Sequence, residues 1–305
     1  MGHLALRATD TERSARFLGD ILGLRRTREQ DGAIWMSCNE KHHEIEYLPG
    51  PSAGVDHIGL EVEEERDLEL LRDALIADGA TILSETPQEP GLDKAIRVAG
   101  PVGLVFELYT GMEREPLSVE HYMPPLARRF GHVTIRTDAR AELEHFLIDV
   151  LGFRVTDTLS NRISWLRCDK DHHGIALGDA AQTRLHHYAF ELENWGAIQR
   201  YCDHLAFLGE RLVWGPGRHG PGRNLYTYIP DPDNTIVEGY ADLLEVLDEA
   251  NYVPIDWSVR GEPALNLWGP MPPENWGEYG VPIIPAGEQL DPLTGGLDAA
   301  GRVSN

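Results

Sequence analysis

The chain repeats its own sequence once, from residues 2–109 to residues 131–240. Four pairs of segments match. They are GHLALRATDTERSARFLGDILGL (2–24) with GHVTIRTDARAELEHFLIDVLGF (131–153), WMSCNEKHHEIEY (35–47) with WLRCDKDHHGIAL (165–177), VDHIGLEV (55–62) with LHHYAFEL (185–192), and GPVGLVFELY (100–109) with DPDNTIVEGY (231–240). The offset between the copies drifts only from 129 (132 − 3) to 131 (238 − 107). A repeat kept in register over this length indicates a duplicated domain.

Each copy divides once more into two units with the order strand, helix and several short strands. We therefore expect an α+β fold of four βαβββ modules. The predicted organisation is an N-terminal domain (1–112), a linker (113–130), a C-terminal catalytic domain (131–245) and an irregular tail (246–305). Thr9 and Glu12 suggest a capping box at the first helix. Glycines are expected to end the helices at Gly23, Gly79, Gly152 and Gly209.

Charge and composition exclude several function classes. The 305 residues carry a formal net charge of −23, which disfavours binding to nucleic acid and to anionic membranes. No apolar run approaches the roughly 18 residues of a membrane span, and no signal peptide is visible. Three cysteines without a CxxC pair favour a reduced, cytoplasmic setting. The thirteen histidines direct attention to metal or proton chemistry.

Three polar residues fall on different predicted strands of the C-terminal copy. His132 and His187 lie in the first strands of its two modules, and Glu238 lies in the apolar strand TIVEGY. A carboxylate among apolar strand residues is costly unless it is paired or bound to metal. Two imidazoles and one carboxylate around one cavity suit Fe(II) with open coordination positions, with Mn(II) as the alternative.

The motifs GHVTIRT, WLRCDKDHHGIAL, RLHHYAF and GPGRHGPGRNLYTYIPDPDNTIVEGY resemble those of the type I extradiol ring-cleavage dioxygenases of the vicinal oxygen chelate superfamily. The C-terminal half is most similar to the homoprotocatechuate 2,3-dioxygenase branch. The resemblance implies a two-domain vicinal oxygen chelate fold, in which the four modules form two open barrels of curved mixed sheet. It also implies that the enzyme works as a homo-oligomer, either a dimer or a tetramer.

The resemblance also implies roles for particular residues. The metal ligands would be His132, His187 and Glu238. His173 would act as acid and base, and Tyr228 and His219 would hydrogen-bond the substrate oxygens. The substrate pocket would include Trp165, Thr134 and Trp214. The implied activity is Fe(II)-dependent cleavage of a catechol by O₂ to a muconic semialdehyde-type product. Two alternatives stay open, a glyoxalase-like metal-dependent isomerase and a metal-free binding protein of the same fold.

The chain departs from the homoprotocatechuate branch at its carboxylate-binding arginines. Trp214 occupies the position of the first arginine, and the tail segment NLWGP (266–270), where the second is expected, contains none. A buried substrate carboxylate would lack its charge partner. We therefore predict a neutral catechol with an alkyl or aryl substituent.

The N-terminal copy keeps the same three residue types, at His3, His57 and Glu107. Trp35 and His43 match Trp165 and His173, whereas Arg97 and Gln88 stand at the positions of Tyr228 and His219. In this family the N-terminal domain normally carries no metal. A remnant of the duplication and a second metal site both remain open.

Two pairs of adjacent histidines, 172–173 and 186–187, raise the question of which member acts. Neighbouring strand residues face opposite sides, so only one of His186 and His187 can face a metal. The N-terminal copy has Asp56 and His57 at these positions, which favours His187 as the ligand. Spacing to the ligand favours His173 over His172.

Overall fold

The computed structural model describes residues 1–117, 127–260 and 262–288. Part of the predicted linker and the tail from residue 289 onward lie outside the described residues. Eight strands form the first sheet: β1 (His3–Ala8), β2 (Arg25–Gln30), β3 (Ala33–Ser37), β4 (Ile45–Pro49), β5 (Gly54–Glu61), β6 (Thr81–Ser84), β7 (Leu92–Ala99) and β8 (Val105–Met112). Their spatial order is β2-β3-β4-β1-β5-β8-β7-β6, so two four-stranded modules meet where β1 pairs with β5.

The second sheet repeats this arrangement. Its strands are β9 (Arg129–Thr137), β10 (Arg154–Leu159), β11 (Ile163–Arg167), β12 (Ile175–Asp179), β13 (Arg184–Glu191), β14 (Trp214–Arg218), β15 (Leu225–Pro230) and β16 (Ile236–Ala241). The spatial order is β14-β15-β16-β13-β9-β12-β11-β10. Strands β9 and β13 pair antiparallel, while β9 with β12 and β13 with β16 pair parallel. The predicted α+β fold of four βαβββ modules in mixed sheets is confirmed. The domain boundaries 1–112 and 131–245 stay a proposal.

Each module contributes one helix: α1 (Thr11–Leu22), α2 (Glu65–Asp78), α3 (Arg140–His145, continued by a π-helical turn at Phe146–Val150) and α4 (Trp195–Leu208). Helix α1 buries Ala15, Leu18 and Leu22 against the first sheet because these residues share one face. The predicted capping box is wrong. Asp10 caps this helix, and its side chain accepts a hydrogen bond from the Arg13 N–H.

Glycines follow the helices as predicted. Gly23, Gly79 and Gly209 adopt left-handed conformations directly after their helices, where a residue with a Cβ would be strained. Gly152 is also left-handed, but Leu151 separates it from the π-helical turn. In the described part of the chain, no helix has the length and apolar character needed to cross a membrane.

The two sheets share a continuous hydrophobic core. Across it, the hydroxyls of Tyr47 and Tyr188 lie 3.3 Å apart, and the Tyr188 hydroxyl donates to Asp231 over 3.1 Å. The tail is more ordered than predicted. It adds two short strands, β17 (Ile255–Asp256) beside β10 and β18 (Val281–Pro282) beside β13. Its turns cover one end of the second sheet and complete the cavity described next.

Candidate active site

Three adjacent central strands bring the predicted metal ligands together. His132 on β9, His187 on β13 and Glu238 on β16 form a buried group whose ligand atoms all lie within 4.8 Å of one another. Glu238 Oε2 is 2.9 Å from His132 Nε2 and 3.5 Å from His187 Nε2. The three atoms therefore converge on one point, as a set of facial ligands must.

The Glu238 carboxylate is almost fully buried, with 1% of the residue exposed. Among the described residues no lysine or arginine pairs with it. Its Oε1 accepts a hydrogen bond from Asn224 Nδ2 over 3.1 Å, which leaves Oε2 facing the two imidazoles. A buried carboxylate without a cationic partner is costly, and a divalent cation would offset that cost. The donor set of two imidazoles and a carboxylate therefore fits Fe(II) or Mn(II).

His186 orients His187. His186 Nε2 lies 2.8 Å from the Trp276 carbonyl oxygen, which can only accept, so this nitrogen carries the proton. His186 Nδ1 must then accept from His187 Nδ1–H, at a distance of 2.9 Å. The lone pair of His187 is thereby directed from Nε2 toward Glu238 and His132. His186 is thus a hydrogen-bonding partner of the candidate ligand, consistent with its prediction as the backside residue.

His173 is oriented in the same way by His172 and Asp157. His172 Nε2 is 3.1 Å from Asp157 Oδ2, and His172 Nδ1 is 3.0 Å from His173 Nδ1. Despite the opposing effect of burial, hydrogen bonds from His172 and Trp257 lower the pKa of Asp157. The carboxylate therefore stays ionised and accepts from His172. The Gly222 N–H also approaches His172 Nε2, at 3.2 Å, but an ionised carboxylate is the stronger partner.

The consequence for His173 is a fixed tautomer. Its Nδ1–H donates to His172, so Nε2 is the free basic nitrogen. The His173 ring centroid lies 4.3 Å from that of His132, beside the candidate metal ligands. Burial, followed by the neighbouring imidazoles of His132 and His172, lowers the pKa of His173 well below its usual range. His173 is therefore neutral near pH 7, as a proton acceptor must be.

Tyr228 and His219 form a hydrogen-bonded pair next to the ligand group, with the Tyr228 ring centroid 5.3 Å from that of His187. His219 Nδ1 donates to the Leu265 carbonyl over 2.5 Å, so its Nε2 accepts from the Tyr228 hydroxyl over 2.8 Å. Burial, followed by the Glu238 carboxylate, raises the pKa of Tyr228 well above its usual range. The phenol is therefore protonated at neutral pH.

These residues line a cavity of about 500 Å³ with predominantly apolar walls. The predicted pocket residues Trp165, Thr134 and Trp214 all line it. The Trp214 ring stacks on Tyr228 at 5.5 Å with an interplanar angle of 11°, and Trp276 from the tail packs against Tyr228 at 4.9 Å. The cavity has room for a catechol ring and a substituent.

Sequence reasoning missed several residues of this site. They are Asn224 and Asp157, which hold Glu238 and His172, Trp276 of the tail, and two arginines of the cavity wall, Arg136 and Arg162. Asn224 lies within the GRHGPGRNLYTY motif, but the sequence does not indicate that its side chain contacts Glu238. Trp276 acts across a long sequence separation. Asp157, Arg136 and Arg162 lie near predicted site residues in the sequence, but no local pattern indicates that their side chains contribute to the site.

The N-terminal copy brings together a different set. His3, His57 and Glu107 lie together, and Glu89 joins them to form a second buried group. Gln88, aligned with His219, instead donates to Ser84 and Thr86, and the neighbouring Glu89 turns inward.

Arg97 lies across from Glu107 in the β7–β8 register, as Tyr228 lies across from Glu238. Its Nε donates to Glu107 over 2.9 Å, and its Nη2 donates to Glu89 over 2.6 Å. Although burial acts in the opposite direction, the Glu89 carboxylate raises the pKa of His57 to about 9.

Comparisons with known proteins agree with this geometry. The family model for the Glyoxalase/Bleomycin resistance protein/Dioxygenase superfamily matches residues 1–108 and 129–238. A manganese-dependent 2,3-dihydroxybiphenyl 1,2-dioxygenase of Geobacillus genomosp. 3 is 30% identical, over 95% of this chain and 96% of its own. An iron-dependent extradiol dioxygenase of Rhodococcus jostii (strain RHA1) is 25% identical, over 88% and 95%.

A solved structure of homoprotocatechuate 2,3-dioxygenase from Arthrobacter globiformis superposes with a TM-score of 0.83 at 25% identity. The match covers all of this chain and 94% of that one. The chain therefore belongs to the Glyoxalase/Bleomycin resistance protein/Dioxygenase superfamily and, within it, to the extradiol dioxygenases.

Proposed function

We propose that this protein cleaves the ring of a neutral, substituted catechol with O₂, beside the diol, to a muconic semialdehyde-type product. The observation that carries the proposal is the convergence of His132, His187 and Glu238 at a cavity large enough for a catechol. We further propose that these three residues hold Fe(II) or Mn(II). Of the two related enzymes named above, one is manganese-dependent and the other is iron-dependent.

A bound divalent metal would supply a Lewis-acidic, redox-active centre at which catechol and O₂ meet, and would lower the pKa of the catechol hydroxyls. Three protein ligands leave coordination positions open for the two reactants. The remaining chemistry belongs to side chains of this chain, which bind the substrate, orient it and move its protons.

His173 is the proposed acid and base. Its Nε2 lone pair is free because Nδ1 donates to His172, and the neutral ring can accept a proton from a catechol hydroxyl. The protonated ring can later return the proton to the oxygen that leaves. Asp157 stabilises the cationic state through His172, because the ionised carboxylate lies at the end of the same hydrogen-bonded chain.

Tyr228 is proposed to bind a substrate oxygen directly, whereas His219, whose two ring nitrogens are both hydrogen-bonded within the protein, is proposed to position the Tyr228 hydroxyl. The Tyr228 hydroxyl donates to His219 Nε2 and keeps its own lone pairs available for a substrate O–H. Its ring packs against both Trp214 and Trp276, so the hydroxyl position is set by packing. This arrangement fixes the catechol before proton transfer begins.

The proposed preference for a neutral substituent depends on the walls near the ligand group. Trp214 occupies the position where the related branch carries an arginine, and its indole N–H donates to the Pro270 carbonyl over 2.9 Å. Arg136 lies four residues along β9 from His132, which corresponds to roughly 13 Å along an extended strand. A carboxylate close to the catechol ring would therefore meet aromatic side chains, whereas an aryl substituent would pack against them.

The experiment compares kcat/KM for 2,3-dihydroxybiphenyl, 3-methylcatechol and homoprotocatechuate with the metal-loaded protein, following the yellow product. The neutral catechols should be cleaved with higher specificity constants. A tenfold or greater preference for homoprotocatechuate would contradict the neutral substrate. Absence of product across the whole panel would contradict the activity itself.

We also propose that the protein works in the cytoplasm and assembles as a homo-oligomer, either a dimer or a tetramer. The three cysteines form no disulfide, which suits a reducing compartment. Size-exclusion chromatography with light scattering tests the assembly, and a monomer at micromolar concentration would contradict it.

A further inference from the structure

We propose that the N-terminal copy contains a second divalent-metal site, formed by His3, His57, Glu89 and Glu107. These four side chains are buried, with at most 2% of each residue exposed, and their ligand atoms all lie within 4.8 Å of one another. The group belongs to the first sheet and shares no residue with the cavity of the second.

The geometry parallels that of the candidate catalytic group. Glu107 Oε2 lies 3.5 Å from His3 Nε2 and 3.9 Å from His57 Nε2, compared with 2.9 and 3.5 Å in the C-terminal group. In both copies a side-chain N–H donates to Oε1 of the carboxylate. The donor is Arg97 Nε for Glu107 and Asn224 Nδ2 for Glu238. Each carboxylate thus keeps Oε2 directed at two imidazoles.

An acceptor without a hydrogen-bond partner favours a cation within this group. Glu107 Oε2 is completely buried and has no hydrogen-bond partner. His3 Nε2 lies 3.1 to 3.5 Å from His57 Nε2, Glu89 Oε2 and Glu107 Oε2, and a single N–H at this position can satisfy only one of these three. A metal ion among these atoms would serve all of them at once.

The orientation of His57 supports the same conclusion. Its Nδ1 lies 3.0 Å from Asp56 Oδ1, so Nδ1–H donates to that carboxylate, and Nε2 faces the group at 2.5 Å from Glu89 Oε1. A metal ion bound here would replace the proton between Nε2 and Glu89. Asp56 is itself held by Arg7 Nε over 3.0 Å. A carboxylate behind an imidazole is the usual support of a metal-binding histidine.

Arg97 already supplies one cation to this group. Its Nε donates to Glu107 Oε1, so Glu107 Oε2 is the oxygen that remains directed at His3 and His57 and available to a divalent ion. The competing arrangement has no metal and adds protons instead, with the Arg97 guanidinium, 3.4 Å from His57 Nε2, as the local cation.

The chemistry of this site differs from that of the first. Glu89 supplies a fourth protein ligand, and the group contains no thiolate, which suits Mn(II), Fe(II) or Zn(II). Four protein ligands in a fully buried group leave no route for a catechol. We therefore assign the site a structural role, joining β1, β5 and β8 to the turn that carries Glu89.

The test counts metal in the full-length His187→Ala variant, in which the C-terminal group is disabled and the N-terminal core is untouched. The protein is refolded with MnCl₂, separated from free ion, and examined by mass spectrometric metal analysis and by electron paramagnetic resonance. One manganese per chain is expected. No bound manganese in the correctly folded variant would overturn the proposal and would leave Arg97 as the local cation of this cluster.

A second variant separates this proposal from the proposed function. Glu89→Gln in the otherwise intact chain should remove one of two manganese ions and lower the thermal midpoint, while catechol cleavage continues at the C-terminal group. Unchanged metal content in Glu89→Gln would contradict the site. A count of one in both wild type and His187→Ala would support the N-terminal site and contradict metal binding at the C-terminal group instead.

Discussion

His172 Nδ1 lies 3.0 Å from His173 Nδ1, and only one proton can occupy the space between them. Because His172 donates its Nε2–H to Asp157, its Nδ1 carries no proton and the shared proton belongs to His173. A single buried carboxylate therefore determines which nitrogen of the candidate base faces the substrate.

Replacing Asp157 by asparagine should impair this orientation. The neutral amide is a weaker acceptor for His172 Nε2–H than the carboxylate, so the tautomer that presents the His172 Nδ1 lone pair to His173 Nδ1–H loses its advantage over the reverse tautomer. We expect kcat to fall by about 10- to 100-fold with unchanged metal content, the range typical of residues that support a functional histidine. Stopped-flow measurement of product formation checks the rate, and Asp20→Asn, at an exposed position, serves as the control. A rate equal to that of wild type would exclude the proposed orientation.

The two histidines of the RLHHYAF segment should behave differently on substitution. His187→Ala removes a candidate ligand and should abolish metal binding at the C-terminal group. His186→Ala removes only the acceptor for His187 Nδ1–H and should weaken metal binding by about 10- to 100-fold. Titration with Fe(II) under anaerobic conditions measures both. Equal loss in the two variants would contradict the assignment of His187 over His186.

Tyr228→Phe should weaken substrate binding and turnover together. The variant loses a buried hydroxyl that donates to His219 Nε2 and that is proposed to contact a substrate oxygen. An unpaired buried polar group costs about 1 to 3 kcal/mol, which corresponds to a roughly 5- to 150-fold decrease in kcat/KM. Steady-state kinetics with 2,3-dihydroxybiphenyl tests this. The conclusion fails if only thermal stability changes.

Asp231 should make stability depend on pH. Burial, followed by the charge of Asp233, raises its pKa to about 7 from a usual value of 3.8. A raised pKa means that the folded protein holds the proton more tightly, so the stabilisation is complete below about pH 4 and is lost as the pH rises toward 7. The amide side chain of the Asp231→Asn variant does not titrate. When the pH is raised from 5 to 8, the free energy of unfolding of wild type should therefore fall by about 2 to 3 kcal/mol relative to that of the variant.

Urea unfolding of both proteins at the two pH values measures this difference. The Asp231→Asn variant keeps a side-chain oxygen that can accept from the backbone N–H groups of Asp233 and Thr235, so those two hydrogen bonds are preserved. A pH-independent difference between the two proteins would show that Asp231 is ionised throughout.

The repeat explains why so much of this fold could be predicted. A duplicated βαβββ pattern predicts which strands occupy the centre of each sheet, and His132, His187 and Glu238 fall on three such strands. Strand alternation then separates His187 from His186, since adjacent side chains face opposite sides of a strand. The residues that support these positions could not be predicted in the same way.

Asp157 lies only eight residues before Trp165 (165 − 157), but nothing in the local sequence indicates that its carboxylate contacts His172. Trp276 belongs to a tail that has no repeat partner. Glu89 was missed for a different reason. It lies in a turn between β6 and β7, where no strand alternation determines side-chain direction. The repeat aligns Gln88 with His219, but the side chain that enters the buried group is that of the next residue, Glu89. The roles of the individual site residues stay predictions until the variants are measured.

The most direct test of the proposed function supplies ¹⁸O₂ to the Fe(II)-loaded protein with 2,3-dihydroxybiphenyl and analyses the product by mass spectrometry. The proposal predicts one O₂ consumed per yellow product, with both oxygen atoms incorporated, and no product from His187→Ala. An Fe(II)-loaded protein that consumes no O₂ with any catechol of the panel would contradict it.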